Sequence, residues 1–243
     1  MERPINCHTR IAEWVKVHPF FWKQMLVGTL SFIIPGEKSL NTNSTKDFFI
    51  NHYFHQQDPY VFDGSSDKYF NQLQPAINDI NSFGNIIDLG CGKFKLLTFL
   101  KKNSFKYESY IGFDFACPEE AISEKEKTYR LDFRSEKCQY VTKNESTVFA
   151  INTFCYIKNI KDIYLLNKAN KLIAKRLIVL EPWPGLFWDR HFDGIWPTYR
   201  KPDLLAKNLA EIGWHREGQY NYYLFKICGK YLIPMSYVAT FKR

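Results

Sequence analysis

Short apolar runs alternate with stretches of helical spacing from residue 84 to the end of the chain. Asn85–Leu89 is a β-branched apolar run of the length of one buried strand. Gly90 and Gly92 follow it and permit a tight turn, because glycine has no Cβ to block a close backbone approach. Over residues 93–101 the apolar positions change to helical spacing. The pattern therefore predicts a strand, a glycine turn and a helix in succession.

The same alternation continues downstream. Four further strands are predicted, at Ser109–Asp114, Lys127–Asp132, Thr147–Asn152 and Arg176–Glu181. Helices are predicted at Pro118–Glu126, Ile160–Ala174 and Pro202–Ile212. Residues 219–243 contain two more strand patterns around a turn at Gly229. Strands that alternate with helices favour a mostly parallel sheet with helices on both faces.

Residues 1–83 precede the first predicted strand and are predicted to form a helical N-terminal extension, so residues 84–243 are predicted to form the main domain. Ile11–Leu30 has one strongly apolar face, and a helix is predicted from Ser66 or Asp67 through Asn81. Packing on the domain, or on a second copy in a homodimer through these helices, is the preferred interpretation. A lid over the substrate and a patch on a membrane surface stay open.

Composition sets bounds on these interpretations. The chain has 243 residues, 45% of them hydrophobic and 24% charged, which is typical of a soluble globular protein. Aromatic residues make up 17%, enough to line pockets as well as a core. The formal net charge of +8 permits an anionic partner, but the lysines are spread along the chain. A solvated surface is therefore favoured over a nucleic-acid stripe.

Cysteine and histidine spacing argues against cross-links and metal. The six cysteines include no C-x-x-C pair, and the six histidines form no metal-ligand spacing, so we expect reduced thiols, no metal site and a cytoplasmic protein. Charged Glu2, Arg3 and Arg10 argue against a signal peptide. The longest apolar run, Met25–Ile34, is shorter than the roughly 20 residues of a membrane-spanning helix, so no transmembrane segment is expected.

The glycine turn carries a family resemblance. Asp88, Gly90 and Gly92 resemble the first motif of class I S-adenosylmethionine-dependent methyltransferases, and Phe94 stands where that family often has a third glycine. A nicotinamide dinucleotide fold would need glycine at Lys95. The resemblance implies a doubly wound, mostly parallel, seven-stranded α/β sheet that ends in an antiparallel hairpin. It also implies S-adenosylmethionine as the cofactor.

Polar residues end four successive predicted strands: Asp88, Asp114, Asp132 and Asn152. Ligands of open α/β sheets bind at the carboxyl ends of the strands. Each carboxylate makes ionisation of its neighbours less favourable unless a ligand or a hydrogen-bond donor binds them. This row is therefore predicted to bind a ligand.

The resemblance assigns roles within that row. Asp114 would accept hydrogen bonds from both ribose hydroxyls, with Phe115 against adenine, and Asp132 would accept from the adenine amine beside Phe133. The methionine end and the rest of the site would be lined by Asp88, Gly90, Cys91, Gly92, Asn152 and Thr153. Cys91 is interpreted as a small residue of the turn rather than a nucleophile.

A long connection follows the fifth predicted strand, from Glu181 to Tyr199, far beyond the usual two to six residues. It is interpreted as a substrate wall or lid, with a structural insertion as the alternative. His191 is the first candidate for a general base and Glu181 the second, although His191 also fits an ion pair with its acidic neighbours. Residues expected to shape the acceptor pocket are Tyr156, Trp183, Trp188 and Tyr199.

Three functions fit this pattern. Methyl transfer to an oxygen or nitrogen of a small metabolite or natural product is preferred. A nucleic-acid methyltransferase, acting on RNA for example, is the first alternative and would use the lysine-rich face of residues 158–176. Asn152–Cys155 lacks the prolines of the adenine-N6 enzymes, which argues against it. The second alternative is a non-catalytic cofactor-binding scaffold that grips a protein partner.

Overall fold

The computed structural model describes residues 69–115, 120–135, 145–157, 159–167, 174–183, 200–227 and 230–243. The predicted Ile11–Leu30 helix, the homodimer contact assigned to it and the connection 184–199 lie outside these residues. None of the described helices is long and apolar enough to cross a membrane.

Eight strands of the described chain form one sheet. They are β1 (Asn85–Leu89), β2 (Ser109–Asp114), β3 (Glu120–Ser123), β4 (Glu126–Arg130), β5 (Ser146–Ile151), β6 (Ala174–Pro182), β7 (His215–Ile227) and β8 (Lys230–Lys242). Their order across the sheet is β3-β4-β2-β1-β5-β6-β8-β7. The five central strands β4, β2, β1, β5 and β6 pair in parallel, whereas β3 and the β7–β8 hairpin pair antiparallel.

Two core clusters cover the two faces of the sheet. Along β1, Ile86 packs on one face while Ile87 and Leu89 pack on the other, as the alternation of a strand requires. Both sides are buried, which explains why the central strands are continuous apolar runs. The predicted α/β class with a mostly parallel sheet and a terminal antiparallel hairpin is confirmed.

Three α-helices lie among the described residues: α1 (Gln74–Ile77), α2 (Lys95–Lys102) and α3 (Pro202–Ala210). Residues 69–70 are helical, a 3₁₀ turn follows at Asn71–Leu73, and α1 ends at Ile77, four residues before the predicted end at Asn81. Helices α1 and α2 pack with one cluster, and α3 packs with the other. Helix α3 begins with Pro202 and ends before Gly213, at φ +94°, as predicted.

Residues 69–83 belong structurally to the sheet domain. Phe70, Leu73 and Ile77 are buried in the same cluster as β1 and α2. The backbone carbonyl of Gln72 accepts a hydrogen bond from Tyr222 of β7 at 2.6 Å. The packed domain therefore includes residues before position 84, where the sequence placed its boundary.

The helix predicted at Pro118–Glu126 is wrong for the described residues. Part of this segment forms the eighth strand of the sheet. Glu120–Ser123 pairs antiparallel with β4, so the sheet has eight strands instead of the predicted seven. Glutamate and lysine are good helix formers, but helix propensity is a weak preference that tertiary contacts override, and this segment has no apolar stripe to bury. Pairing with the edge of the sheet satisfies its backbone instead.

The helix predicted at Ile160–Ala174 is also wrong over its described part. Two 3₁₀ turns, Ile160–Asp162 and Tyr164–Leu166, replace it, and Ile163 between them is extended at φ −75°, ψ 95°. Ile160 of the first turn, Ile163 between the turns, and Leu165 and Leu166 of the second are buried and pack on the sheet. This broken path buries adjacent residues such as Leu165 and Leu166, which a single amphipathic helix would place about 100° apart.

A buried carboxylate joins α2 to the sheet. Glu126 of β4 is 2% exposed and accepts hydrogen bonds from Lys101 at 2.7 Å and Tyr107 at 2.6 Å. Burial alone would raise the pKa of Glu126, but hydrogen bonds from Lys101, Tyr107 and Ser123 outweigh it and hold the pKa below its usual 4.5. The stability from this contact is therefore present above pH 4.5 and lost as the pH falls below it.

We expect Tyr107→Phe to lower the free energy of unfolding by about 1.5–3 kcal/mol at neutral pH, since it removes a donor from a buried charge. The loss should shrink near pH ~3, where Glu126 is protonated in the unfolded chain and the contact contributes least. Urea unfolding of both proteins at the two pH values measures this. An equal loss at both would contradict the assigned role of Glu126.

Candidate functional site

The glycine turn between β1 and α2 is fixed from β2. The backbone N–H groups of Gly90 and Cys91 both donate to the carbonyl of Phe113, at 2.7 and 3.3 Å. Gly90 and Gly92 have φ values of +73° and +49°, which L side chains adopt with strain. The sequence predicted this turn from its glycines, and the structure places it at the carboxyl edge of the parallel strands.

Phe94 takes the backbone conformation that a third glycine would take. Its φ of 59° and ψ of 30° are left-handed, and it stands directly before the first residue of α2. Such a conformation costs a bulky residue roughly 1–2 kcal/mol. Its partly buried ring packs on the cluster beneath α2. A bulky residue therefore holds a left-handed conformation that glycine adopts without strain.

Cys91 fills a space left by a glycine in the neighbouring strand. A Cβ on Gly112 would lie 2.7 Å from the Cys91 sulfur and 2.8 Å from its Cβ. Cys91 is 6% exposed and unbridged, which fits a small packing residue of the turn. Gly112 was not singled out from the sequence, because a glycine inside a strand gives no sign of which side chain it accommodates.

Asp114 meets the glycine turn at the end of β2. Its Oδ2 accepts a hydrogen bond from the backbone N–H of Gly92 at 3.1 Å, and the side chain is partly exposed. Phe115, the next residue, is partly exposed as well. The structure thus brings the predicted ribose acceptor and the predicted glycine turn into direct contact.

Asp88 lies beneath this turn rather than at its surface. It is 2% exposed, and its Oδ2 accepts a hydrogen bond from Tyr110 at 2.6 Å. Burial raises its pKa to about 7, the Tyr110 hydrogen bond opposes that rise, and the charge of Asp114 adds to it. Tyr110 is a partner that sequence analysis missed, since it belongs to the apolar pattern of β2.

Asp132, two residues beyond β4, is held by its own neighbour. Arg134 donates to both carboxylate oxygens, through Nε at 2.9 Å and through Nη2 at 2.6 Å. The side chain of Asp132 stays 33% exposed. Phe133 between them is 4% exposed and points into the core. Arg134 was not among the predicted site residues. Its planar guanidinium binds both carboxylate oxygens and so orients Asp132.

The turn after β5 contacts the glycine turn. Asn152 has φ +51°, and its side-chain oxygen accepts a hydrogen bond from the hydroxyl of Tyr69. Thr153 donates from Oγ1 to the carbonyl of Leu89 at 2.7 Å. A Cβ on Gly90 would lie 2.4 Å from that same Oγ1. Gly90 therefore permits the approach of Thr153, which the sequence had not indicated.

Glu181 in β6 faces the start of that turn. Its Oε1 accepts the N–H groups of Thr153 at 2.8 Å and Phe154 at 2.7 Å, and its Oε2 accepts that of Cys155 at 3.0 Å. It is 3% exposed, and burial raises its pKa to about 7 against these hydrogen bonds. The predicted second candidate base thus has backbone partners at both oxygens, an arrangement that suits fixing a turn.

Arg200, a residue that sequence analysis missed, binds the far side of the same turn. Its Nη1 donates to the carbonyl of Phe154 at 2.8 Å, and its Nη2 donates to that of Ile157. Arg200 is 5% exposed, and its own carbonyl accepts from the hydroxyl of Tyr237 at 3.1 Å. Its sequence position before Pro202 gives no signal of burial.

The predicted acceptor-site residues are only partly described. Tyr156 is partly exposed on the turn, and Trp183 packs edge-on against Tyr237 with ring centroids 5.9 Å apart. His191, Trp188 and Tyr199 lie outside the described residues. Within the described part of the chain, no group of three or more histidine, cysteine, aspartate or glutamate side chains is placed to hold a metal ion.

Because the pKa of Asp88 is raised from 3.8 to about 7, its ionisation lowers folded-state stability. The free energy of unfolding should fall as the pH rises from about 4 through about 7. We expect Asp88→Asn to flatten this fall by a few kcal/mol at most. Denaturant unfolding at about pH 5 and pH 8 measures it, with Asp203→Asn on exposed α3 surface as the control. Parallel curves for wild type and Asp88→Asn would contradict the raised pKa.

Comparison with known proteins gives structural matches only. No family model and no curated protein matches the chain. The 1,6-didemethyltoxoflavin-N1-methyltransferase of Burkholderia thailandensis, solved with 1,6-didemethyltoxoflavin and S-adenosylhomocysteine, is 12% identical with a TM-score of 0.59, over 86% of this chain and 93% of that one. The N-methyltransferase NodS of Bradyrhizobium japonicum, solved with S-adenosylhomocysteine, is 10% identical with a TM-score of 0.53, over 80% and 96%.

A third structure, an S-adenosylmethionine-dependent methyltransferase of Archaeoglobus fulgidus, is 16% identical with a TM-score of 0.53, over 75% of this chain and 96% of that one. At such identities the likeness concerns the fold. Together with the strand order and the glycine turn, it shows that this chain has the fold of the class I S-adenosylmethionine-dependent methyltransferases.

Proposed function

We propose that this chain is an S-adenosylmethionine-dependent methyltransferase that acts on an oxygen or nitrogen of a small-molecule acceptor. The observation that carries the proposal is the contact of Asp114 with the Gly92 N–H at the carboxyl edge of the sheet. A partly exposed carboxylate beside a glycine turn offers acceptors for hydroxyl groups next to a backbone that a ligand can approach closely.

The residues present fit the cofactor. Asp114 would accept from the ribose hydroxyls, and the partly exposed Asp132, oriented by Arg134, would accept from the adenine amine. Phe115 would contact adenine, and Phe133 would support that region from the core side. Asp88, buried beneath the turn, would lie towards the methionine end, where the ammonium of a bound ligand would favour its ionised form against the effect of burial. The remaining lining would come from the Gly90–Gly92 backbone, Asn152 and Thr153.

When bound, S-adenosylmethionine supplies an electrophilic methyl group on a positively charged sulfur. The protein's share is to align the acceptor atom behind that methyl group, to exclude water and to take the acceptor's proton. His191 is proposed as the group that takes the proton. Glu181 is the less suitable base, because backbone N–H groups already occupy both of its oxygens.

A small-molecule acceptor is supported by the relatives in structure. The Burkholderia thailandensis enzyme was solved with 1,6-didemethyltoxoflavin bound, and NodS is named an N-methyltransferase. Tyr156 lies in the turn after β5, and Trp183 directly follows β6. At these places their aromatic side chains would border such an acceptor. Trp188 and Tyr199 are proposed to complete that border.

We expect wild-type protein to bind S-adenosylmethionine and S-adenosylhomocysteine in calorimetry, and Asp114→Ala to weaken the binding of both by roughly a hundredfold or more, because it removes the acceptor of two ribose hydrogen bonds. Each lost hydrogen bond to a charged group contributes about 1.5–3 kcal/mol. Asp203→Ala removes the same charge from an exposed site on α3 and serves as the control. Unchanged affinity in a folded Asp114→Ala protein, or no binding by wild type, would overturn the proposed cofactor site.

Turnover separates the remaining functions. With a panel of small acceptors and RNA, we expect methylation of a small molecule, and His191→Ala should lower kcat by roughly 10²–10⁴ while cofactor binding persists. Methylation of RNA alone, with salt-dependent binding, would favour the nucleic-acid alternative. Cofactor binding without turnover of any acceptor would favour the scaffold.

A further inference from the structure

Two oppositely charged side chains bind one short turn, one at its N–H groups and the other at its carbonyl groups. Glu181 accepts the N–H groups of residues 153–155, and Arg200 donates to the carbonyls of Phe154 and Ile157. Both side chains are nearly inaccessible, at 3% and 5% exposure. Burying two ions costs several kcal/mol each unless hydrogen bonds and the opposite charge offset that cost. Here the backbone of the turn supplies those hydrogen bonds.

The two charges come from the two ends of the connection between β6 and α3. Glu181 stands at the end of β6, and Arg200 stands two residues before α3. Tyr237 of β8 joins them, since it pairs with Glu181 across the sheet and its hydroxyl donates to the Arg200 carbonyl. Glu181 and Arg200, which stand on either side of residues 184–199 in the sequence, therefore bind the same turn.

That turn is also the contact between β5 and the glycine turn. Thr153, whose N–H binds Glu181, donates its hydroxyl to the carbonyl of Leu89 directly before Gly90. Because Gly90 has no Cβ, the two turns approach within a distance that any other residue would block. A shift of residues 153–157 would therefore move Thr153 away from the start of the glycine turn.

We propose that Arg200 is a positioning residue for the cofactor site: together with Glu181 it fixes the turn at residues 153–157, and through Thr153 it fixes the glycine turn. The proposal rests on the proposed function and adds to it a residue that binds the carbonyls of Phe154 and Ile157, which are not among the predicted cofactor-binding residues. The planar guanidinium binds two carbonyls at once, which a lysine ammonium matches poorly.

The test uses Arg200→Lys and Arg200→Met, with Ile178→Ala as the control. Ile178 is buried in β6 on the opposite face of the sheet from the turn, so its truncation destabilises the domain without touching residues 153–157. Two quantities are measured: amide hydrogen exchange of Thr153, Phe154 and Cys155, and the Kd of S-adenosylhomocysteine.

Exchange at these three amides should be about tenfold faster in Arg200→Lys than in wild type, with a larger rise in Arg200→Met. The Kd should rise in the same order, by about tenfold or more for Arg200→Met. Ile178→Ala, compared at the same loss of Tm as the Arg200 variants, should have a Kd within about twofold of the wild-type value. Should Arg200→Met not fold, Arg200→Lys carries the test.

Unchanged amide exchange in the Arg200 variants would contradict the claim that Arg200 fixes the turn. Faster exchange with an unchanged Kd would overturn the positioning role while leaving the proposed function intact. An equal rise of the Kd in Ile178→Ala would reduce the effect of Arg200 to general destabilisation and would overturn the proposal. Absence of binding by wild type would overturn the proposed function, and the exchange result would still decide whether Arg200 fixes the turn.

Discussion

The geometry of the carboxyl edge depends on one turn whose N–H groups donate to Glu181 and whose carbonyls accept from Arg200. A buried carboxylate and a buried guanidinium are each unfavourable alone, and the charge of Glu181 only partly opposes the lowering of the Arg200 pKa by burial. The turn offsets the cost of burial, because its N–H groups bind the carboxylate and its carbonyl groups bind the guanidinium. The edge of the sheet is therefore fixed by polar contacts between buried groups.

Several strand ends meet this fixed turn. Parallel pairing of β1 with both β2 and β5 puts the residues after each strand at the same edge. Thr153 then contacts the end of β1, and Asp114 contacts Gly92. Glycine at positions 90 and 112 permits these approaches, since a Cβ at either would collide with Thr153 or Cys91. The acidic row predicted from the sequence thus becomes three distinct environments: Asp88 buried, Asp114 bonded to the turn and Asp132 paired with arginine.

The parts of this arrangement that the sequence predicted are the local ones. β1 and β2 were located residue for residue, because apolar runs bounded by glycine and polar residues define buried strands. Glycine spacing predicted the turn, and Pro202 and Gly213 predicted the limits of α3. Tyr69, Tyr110 and Arg200 were missed because each joins a partner more than twenty residues away in the chain. Nothing in their neighbourhood signals such a contact. The β3 strand was missed because its pairing with β4 overrides a weak helical preference.

The central claim is that S-adenosylmethionine binds where the glycine turn meets Asp114. Backbone amide resonances of the protein, followed by NMR during titration with S-adenosylhomocysteine, test it most directly. The account predicts saturable shifts at Gly90, Cys91, Gly92 and Asp114, with α3 surface residues such as Leu204 unmoved. Saturable shifts that spare the glycine turn and Asp114, or no shifts at all, would contradict it.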